Sequence, residues 1–114
     1  MKRPHKYGAK AVEVDGIRFP SQMEARRYRQ LKLLEKANEI IGLKVHPRYE
    51  LLAIGGVKVC IYEGDFEYQV PGKGLVTEDV KGFRTALYKL KAKWFEAQFG
   101  RPIVEITKRR RAAA

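Results

Sequence analysis

The spacing of apolar residues changes repeatedly along this chain, and each change marks an element. Val12, Val14, Ile17 and Phe19 flank Asp15-Gly16, a dipeptide suited to a type I′ turn, so a small ribbon is expected over 12–19. A helix is expected next, to about residue 37, because Met23, Tyr28, Leu31 and Leu34 share one stripe at helical spacing. Ser21 followed three residues later by Glu24 is a capping box that would open it. Gly42 should mark the chain reversal, after which Leu43, Val45, Tyr49 and Leu51 alternate with Lys44, His46, Arg48 and Glu50 as a strand. Pro47 inside that run places it at a sheet edge or a bulge.

Gly55-Gly56 makes the next turn, and residues 57–68 read as one long strand. Its even face holds Cys60, Tyr62, Phe66 and Tyr68, while its odd face runs from Val57, Val59 and Ile61 to Glu63, Asp65 and Glu67. Turn residues fill 71–74, a further strand runs over 75–81, and a second helix over about 85–99 is closed by Gly100. In that helix Leu87, Leu90, Trp94 and Ala97 form the stripe expected on the sheet, with Tyr88, Phe95 and Phe99 on a second stripe. A small helix apolar on two sides suggests a homodimer. Residues 101–107 read as a last strand, made parallel to 75–81 by the helical crossover. The elements predict a single mixed α/β (α+β) domain over 1–114.

Charge narrows the partners. Twenty-four Lys and Arg against 13 Asp and Glu give net +11 in 114 residues, the footprint of a polyanion binder, most often nucleic acid. The basic residues gather in an arm over 1–10 with Lys6 and Lys10, on the helix face of Arg26, Arg29 and Lys36, at Arg84, and in a tail over 108–114 with Arg109 and Arg110. Cys60 is the single cysteine, which excludes an intrachain disulfide and a thiolate metal site within one chain. No signal peptide or spanning apolar run is visible, so a cytoplasmic location without membrane contact is expected.

The acids carry the candidate chemistry. Asp65 lies near the end of one predicted strand, and Asp79-Val80-Lys81 ends the next. Alternation puts Asp79 and Lys81 on one side and Glu78 on the other. Glu24 has two readings: the reciprocal half of the cap, or an acid on the core-facing stripe that needs a partner such as a metal ion. Clustered carboxylates suit Mg²⁺, a hard cation that would activate water and neutralise a phosphate, and a nearby lysine would assist electrostatically.

A helix, a three-stranded antiparallel meander, a crossover helix and a parallel strand, with Asp65 and Asp79-Val80-Lys81 on the meander, resemble the PD-(D/E)XK nucleases. More narrowly, Tyr7-Gly8-Ala9-Lys10, Asp15-Gly16-Ile17, Phe19-Pro20-Ser21, Glu24-Ala25, Tyr62, Asp65-Phe66 and Glu78-Asp79-Val80-Lys81-Gly82 are similar to small phage and prophage endodeoxyribonucleases, over roughly residues 7–99. The resemblance implies a restriction-endonuclease-like core and a Mg²⁺-dependent, structure-specific endodeoxyribonuclease, with Mn²⁺ able to substitute. It implies Asp65 and Asp79 as metal ligands, Glu24 as a further ligand, Lys81 as the catalytic lysine, and branched DNA such as a Holliday junction as substrate, in a bacterial host cell if the gene is a phage's. A nicking, flap or mismatch nuclease of the same fold, and a non-catalytic basic nucleic-acid-binding protein, are the alternatives. Two departures stand out: Gly64 replaces the usual proline before the first acid, and acidic Glu78 could replace or assist Asp79, although strand parity leaves it behind the ligands.

Overall fold

The structure, a computed structural model, describes residues 10–107; the arm residue Lys6 and the tail residues Arg109 and Arg110 lie outside them. β1 (Val12–Val14) and β2 (Ile17–Phe19) pair antiparallel around Asp15 and Gly16. These take φ of 53° and 76°, the two positive values a type I′ turn requires. α1 (Gln22–Lys36) begins at Ser21, whose hydroxyl accepts the Glu24 N–H at 3.1 Å. Tyr28 donates to Asp15 Oδ2 at 2.8 Å and ties the ribbon to the helix. The chain leaves α1 through Asn38, at φ 63°, rather than through Gly42. Asparagine tolerates the left-handed region, so the reversal comes earlier than expected. Gly42 instead lies inside β3 (Ile41–Val45), where the ladder slips between Ile41 and Lys44.

Two expected strands are each broken, and the breaks face one another. The run after Gly42 divides into β3 and β4 (Arg48–Leu52), and residues 57–68 divide into β5 (Lys58–Glu63) and β6 (Phe66–Val70). Pro47 has no N–H for the ladder, and His46 before it takes φ 55°. Opposite, a Cβ on Gly64 would come within 3.2 Å of Thr77 Cγ2, so glycine allows the close approach there. His46 N–H donates to the Asp65 carbonyl and Gly64 N–H to the Pro47 carbonyl, both at 2.9 Å, so the hairpin bends without losing its pairing. β4 and β5 form a separate ribbon, closed at its tip by a 3-10 turn over Ile54–Gly56. The bend also reverses the faces: Tyr62 packs with the second helix, whereas Phe66 and Tyr68 pack under α1. The single even face expected over 57–68 therefore does not exist.

β7 (Gly74–Val80) pairs antiparallel with β6, and β8 (Val104–Ile106) lies parallel to it, giving a sheet ordered β3-β6-β7-β8. The antiparallel order and the parallel crossover agree with the sequence pattern, and the class is mixed α+β. α2 (Ala86–Phe99) is capped by Thr85 and ends at Gly100, with φ 74°. The stripe it buries is the reverse of the expected one. Tyr88 and Phe95 face the β4–β5 ribbon and Ile103, while Leu87 and Leu90 are 61% and 56% exposed. The aromatic stripe wins because Phe95 meets Tyr49 edge-on at 4.9 Å between centroids and the Tyr88 hydroxyl finds Glu105 at 3.0 Å. Among the described residues no helix is long and apolar enough to cross a membrane.

Candidate metal centre at the strand break

The break between β5 and β6 leaves Asp65 outside the regular ladder. Its N–H donates to the Glu78 carbonyl at 3.0 Å, and its own Oδ2 accepts the Val80 N–H at 2.6 Å. A backbone N–H lies in the plane of a sheet. From there the Asp65 carboxylate interacts with two further acids, Glu24 of α1 and Asp79 of β7. Asp79 is 4% exposed; its Oδ2 accepts the Tyr62 hydroxyl at 2.5 Å, and its Oδ1 lies 3.2 Å from Lys81 Nζ. The Lys81 ammonium rests 3.9 Å from the centroid of the Tyr88 ring, a cation–π contact that fixes its direction.

Two buried carboxylates, Glu24 and Asp79, and the half-buried Asp65 share one neighbouring lysine and are under-neutralised. Burial, then the charge of Glu24, pushes the Asp65 carboxyl from its ordinary 3.8 up to about 7, against the pull of the Val80 N–H. Burial and the charge of Asp65 likewise push Asp79 up to about 7, opposed by the Tyr62 bond and by Lys81. Glu24 is raised as well, chiefly by burial. Tyr62 stays a donor, because burial and then the Asp79 charge raise its phenol far above the usual range.

Glu24 Oε2 is buried and accepts no hydrogen bond. Such an atom costs free energy unless a donor or a cation satisfies it. His46 Nε2 lies 3.8 Å from it. One ligand atom from each of Glu24, His46 and Asp65 lies within 4.8 Å of the others. Glu24, His46 and Asp65 could thus each offer one ligand atom to a divalent cation, with the Asp79 carboxylate next to that of Asp65.

Comparison with known proteins gives a family without a function. The profile of a family described as a protein of unknown function, DUF1064, matches residues 4–111. The chain belongs to the DUF1064 family. No curated protein and no solved structure matches it.

In this DUF1064 protein, Glu24, Asp65, Asp79 and Lys81 lie near one another. Glu78 does not join them. It lies on the opposite face of β7, fully buried, where Arg27 reaches it through Nε at 2.8 Å and Nη2 at 2.6 Å and the Tyr68 hydroxyl donates to the same Oε2. Strand alternation is the reason: β7 is regular at this point, so neighbours face apart. Of the candidate phosphate contacts, Lys10 is exposed, and Arg26 and Arg29 are exposed at roughly 200° and 140° around α1 from Glu24. Arg84 is nearer the site, 3.6 Å from Glu105, and lines a concavity of about 320 Å³ with Tyr88, Lys89 and Lys93. His46 had read only as the polar half of a strand alternation. The signal that could have exposed it is Pro47, since a proline inside a strand forces the break that turns His46 toward Glu24.

Proposed function

We propose that this DUF1064 protein is a divalent-cation-dependent endodeoxyribonuclease with a restriction-endonuclease-like core of the PD-(D/E)XK type. The observation that carries the reading is the gathering of Glu24 of α1, Asp65 of the β5–β6 break and Asp79 of β7, with Glu24 Oε2 lacking a hydrogen bond and Lys81 beside Asp79. A bound Mg²⁺ or Mn²⁺ would supply Lewis acidity, lowering the pKa of a water and offsetting phosphate charge. Asp79 orients Lys81, whose remaining N–H groups would donate to the scissile phosphate or the attacking water. The Tyr62 hydroxyl orients Asp79 and favours its ionised form against burial, and the Tyr88 ring supports Lys81. Arg84, before α2, and Lys89 and Lys93 on it line a concavity that also holds Glu96 and Glu105, and these three basic groups would contact a phosphate backbone.

The substrate class is DNA of altered shape, above all branched DNA such as a four-way junction. A net charge of +11 without a module for the major groove favours reading of backbone geometry over base sequence. A second copy covering Leu87 and Leu90 on the outer side of α2 would present two sites to such a junction. The test is incubation with labelled four-way junction, flap, nicked and intact duplex DNA in Mg²⁺ and in Mn²⁺. Metal-dependent cleavage, strongest on the junction and abolished by Asp79→Asn, is expected. Cleavage only of nicked or flap DNA would replace the junction by another branched substrate, and binding without cleavage of any of them would refute the nuclease reading.

A further inference from the structure

The acid cluster has a member that is not an acid. His46 Nε2 lies 3.8 Å from Glu24 Oε2, the buried oxygen without a hydrogen bond, and these two with Asp65 offer ligand atoms within 4.8 Å of one another. Two donors each about 2.1 Å from one cation stand ~3–4 Å apart, so the Glu24–His46 spacing suits a shared ion. The imidazole is aimed by its surroundings. Phe19 packs beside the ring at 5.9 Å between centroids, and the His46 N–H is bonded to the Asp65 carbonyl at 2.9 Å, so two of the three donor residues are joined through the backbone. The φ of 55° that His46 adopts is uncommon for a residue with a side chain, and it lies at the one point where the strand breaks beside the acids.

The geometry points to His46 as a nitrogen ligand that, with Glu24 and Asp65, makes the site select a first-row transition dication such as Mn²⁺ or Co²⁺ over Mg²⁺. The reason is donor chemistry. Mg²⁺ holds oxygen ligands and sheds water reluctantly, whereas transition dications accept imidazole readily. A site of carboxylates alone would follow charge; one nitrogen donor adds a preference that charge does not supply. The inference rests on the proposed cation site, not on the nuclease activity itself.

Binding of Co²⁺, by its visible absorption and by calorimetry, is compared with binding of Mg²⁺ by calorimetry, without DNA, in the full chain and in His46→Asn and His46→Gly. Asparagine and glycine both tolerate positive φ, so neither substitution strains the backbone. In His46→Gly the Co²⁺ affinity should fall about 10–100-fold and its absorption bands should change, while Mg²⁺ affinity moves less than about threefold. His46→Asn, which offers an oxygen, should keep Mg²⁺ binding and lose the Co²⁺ preference. Equal losses for both metals would make His46 a mere electrostatic neighbour and overturn the assignment, as would unchanged Co²⁺ binding or no binding by the parent chain. Co²⁺ bound through His46 with DNA left uncut would overturn the nuclease reading alone. DNA cut with a metal preference indifferent to His46→Gly would overturn this assignment alone.

Discussion

Asp65→Asn should stabilise the metal-free protein while destroying its response to metal. The Asp65 carboxyl is pushed from 3.8 to about 7 by burial and by Glu24. Between those pH values the folded protein holds a proton that the unfolded chain has released. Stability from this group is therefore complete below about pH 4 and is lost as pH rises through about 7. At about 1.4 kcal/mol per pH unit the loss by pH 8 has a ceiling of ~4 kcal/mol. Asp79 shares the same repulsion, so a change of ~1–3 kcal/mol is expected on removing one charge. Asparagine keeps the acceptor for the Val80 N–H, now met at 2.6 Å, so the substitution removes charge and little else. Thermal unfolding in chelator at pH 5 to 8 should show the variant about 4–12 °C more stable at pH 8, with a difference that shrinks toward pH 5. Added Mn²⁺ should raise the parent's midpoint at pH 8 and leave the variant's nearly unchanged. A variant less stable than its parent at pH 8, or a difference indifferent to pH, would refute the reasoning that these carboxylates are held together against their own repulsion.

Glu78 gives the opposite pattern. Glu78→Ala leaves Arg27 buried without its partner and should cost ~3–5 kcal/mol, seen as a lowered denaturant midpoint, while Glu78→Gln should keep the Mn²⁺ stabilisation of the parent. Loss of that stabilisation in Glu78→Gln would put Glu78 among the ligands after all. For assembly, a dimer mass is expected by light scattering at micromolar concentration, converted to a monomer by Leu87→Glu with Leu90→Glu; a monomeric parent would remove the dimer.

The parts of this fold that were legible in the sequence are those where the backbone is regular. Alternation correctly separated Asp79 from Glu78 because β7 runs unbroken from Gly74 to Val80. The Asp15-Gly16 turn, the Ser21 cap and the Gly100 stop were legible because each rests on chemistry local to a few residues. The buried side of α2 was not, since its two apolar stripes are similar in period. What decided between them was tertiary: the Tyr49 and Tyr62 rings that receive Phe95, and the carboxylate that receives the Tyr88 hydroxyl.

The same limit applies at the centre of the site, where it has a functional meaning. Alternation over 57–68 put Asp65 on a sheet face with Glu63 and Glu67. In a continuous ladder an acid on that face would be confined to one side of the sheet. The paired breaks at His46-Pro47 and Gly64-Asp65 release it. Its carboxylate replaces a backbone acceptor at Val80, in the sheet plane, and from there meets Glu24 of one helical layer and Asp79 of the opposite face. A regular strand could not have joined acids from both sides of a sheet. The departure from period two that hid the site in the sequence is the structural feature that assembles it, and it brings in His46 by the same bend.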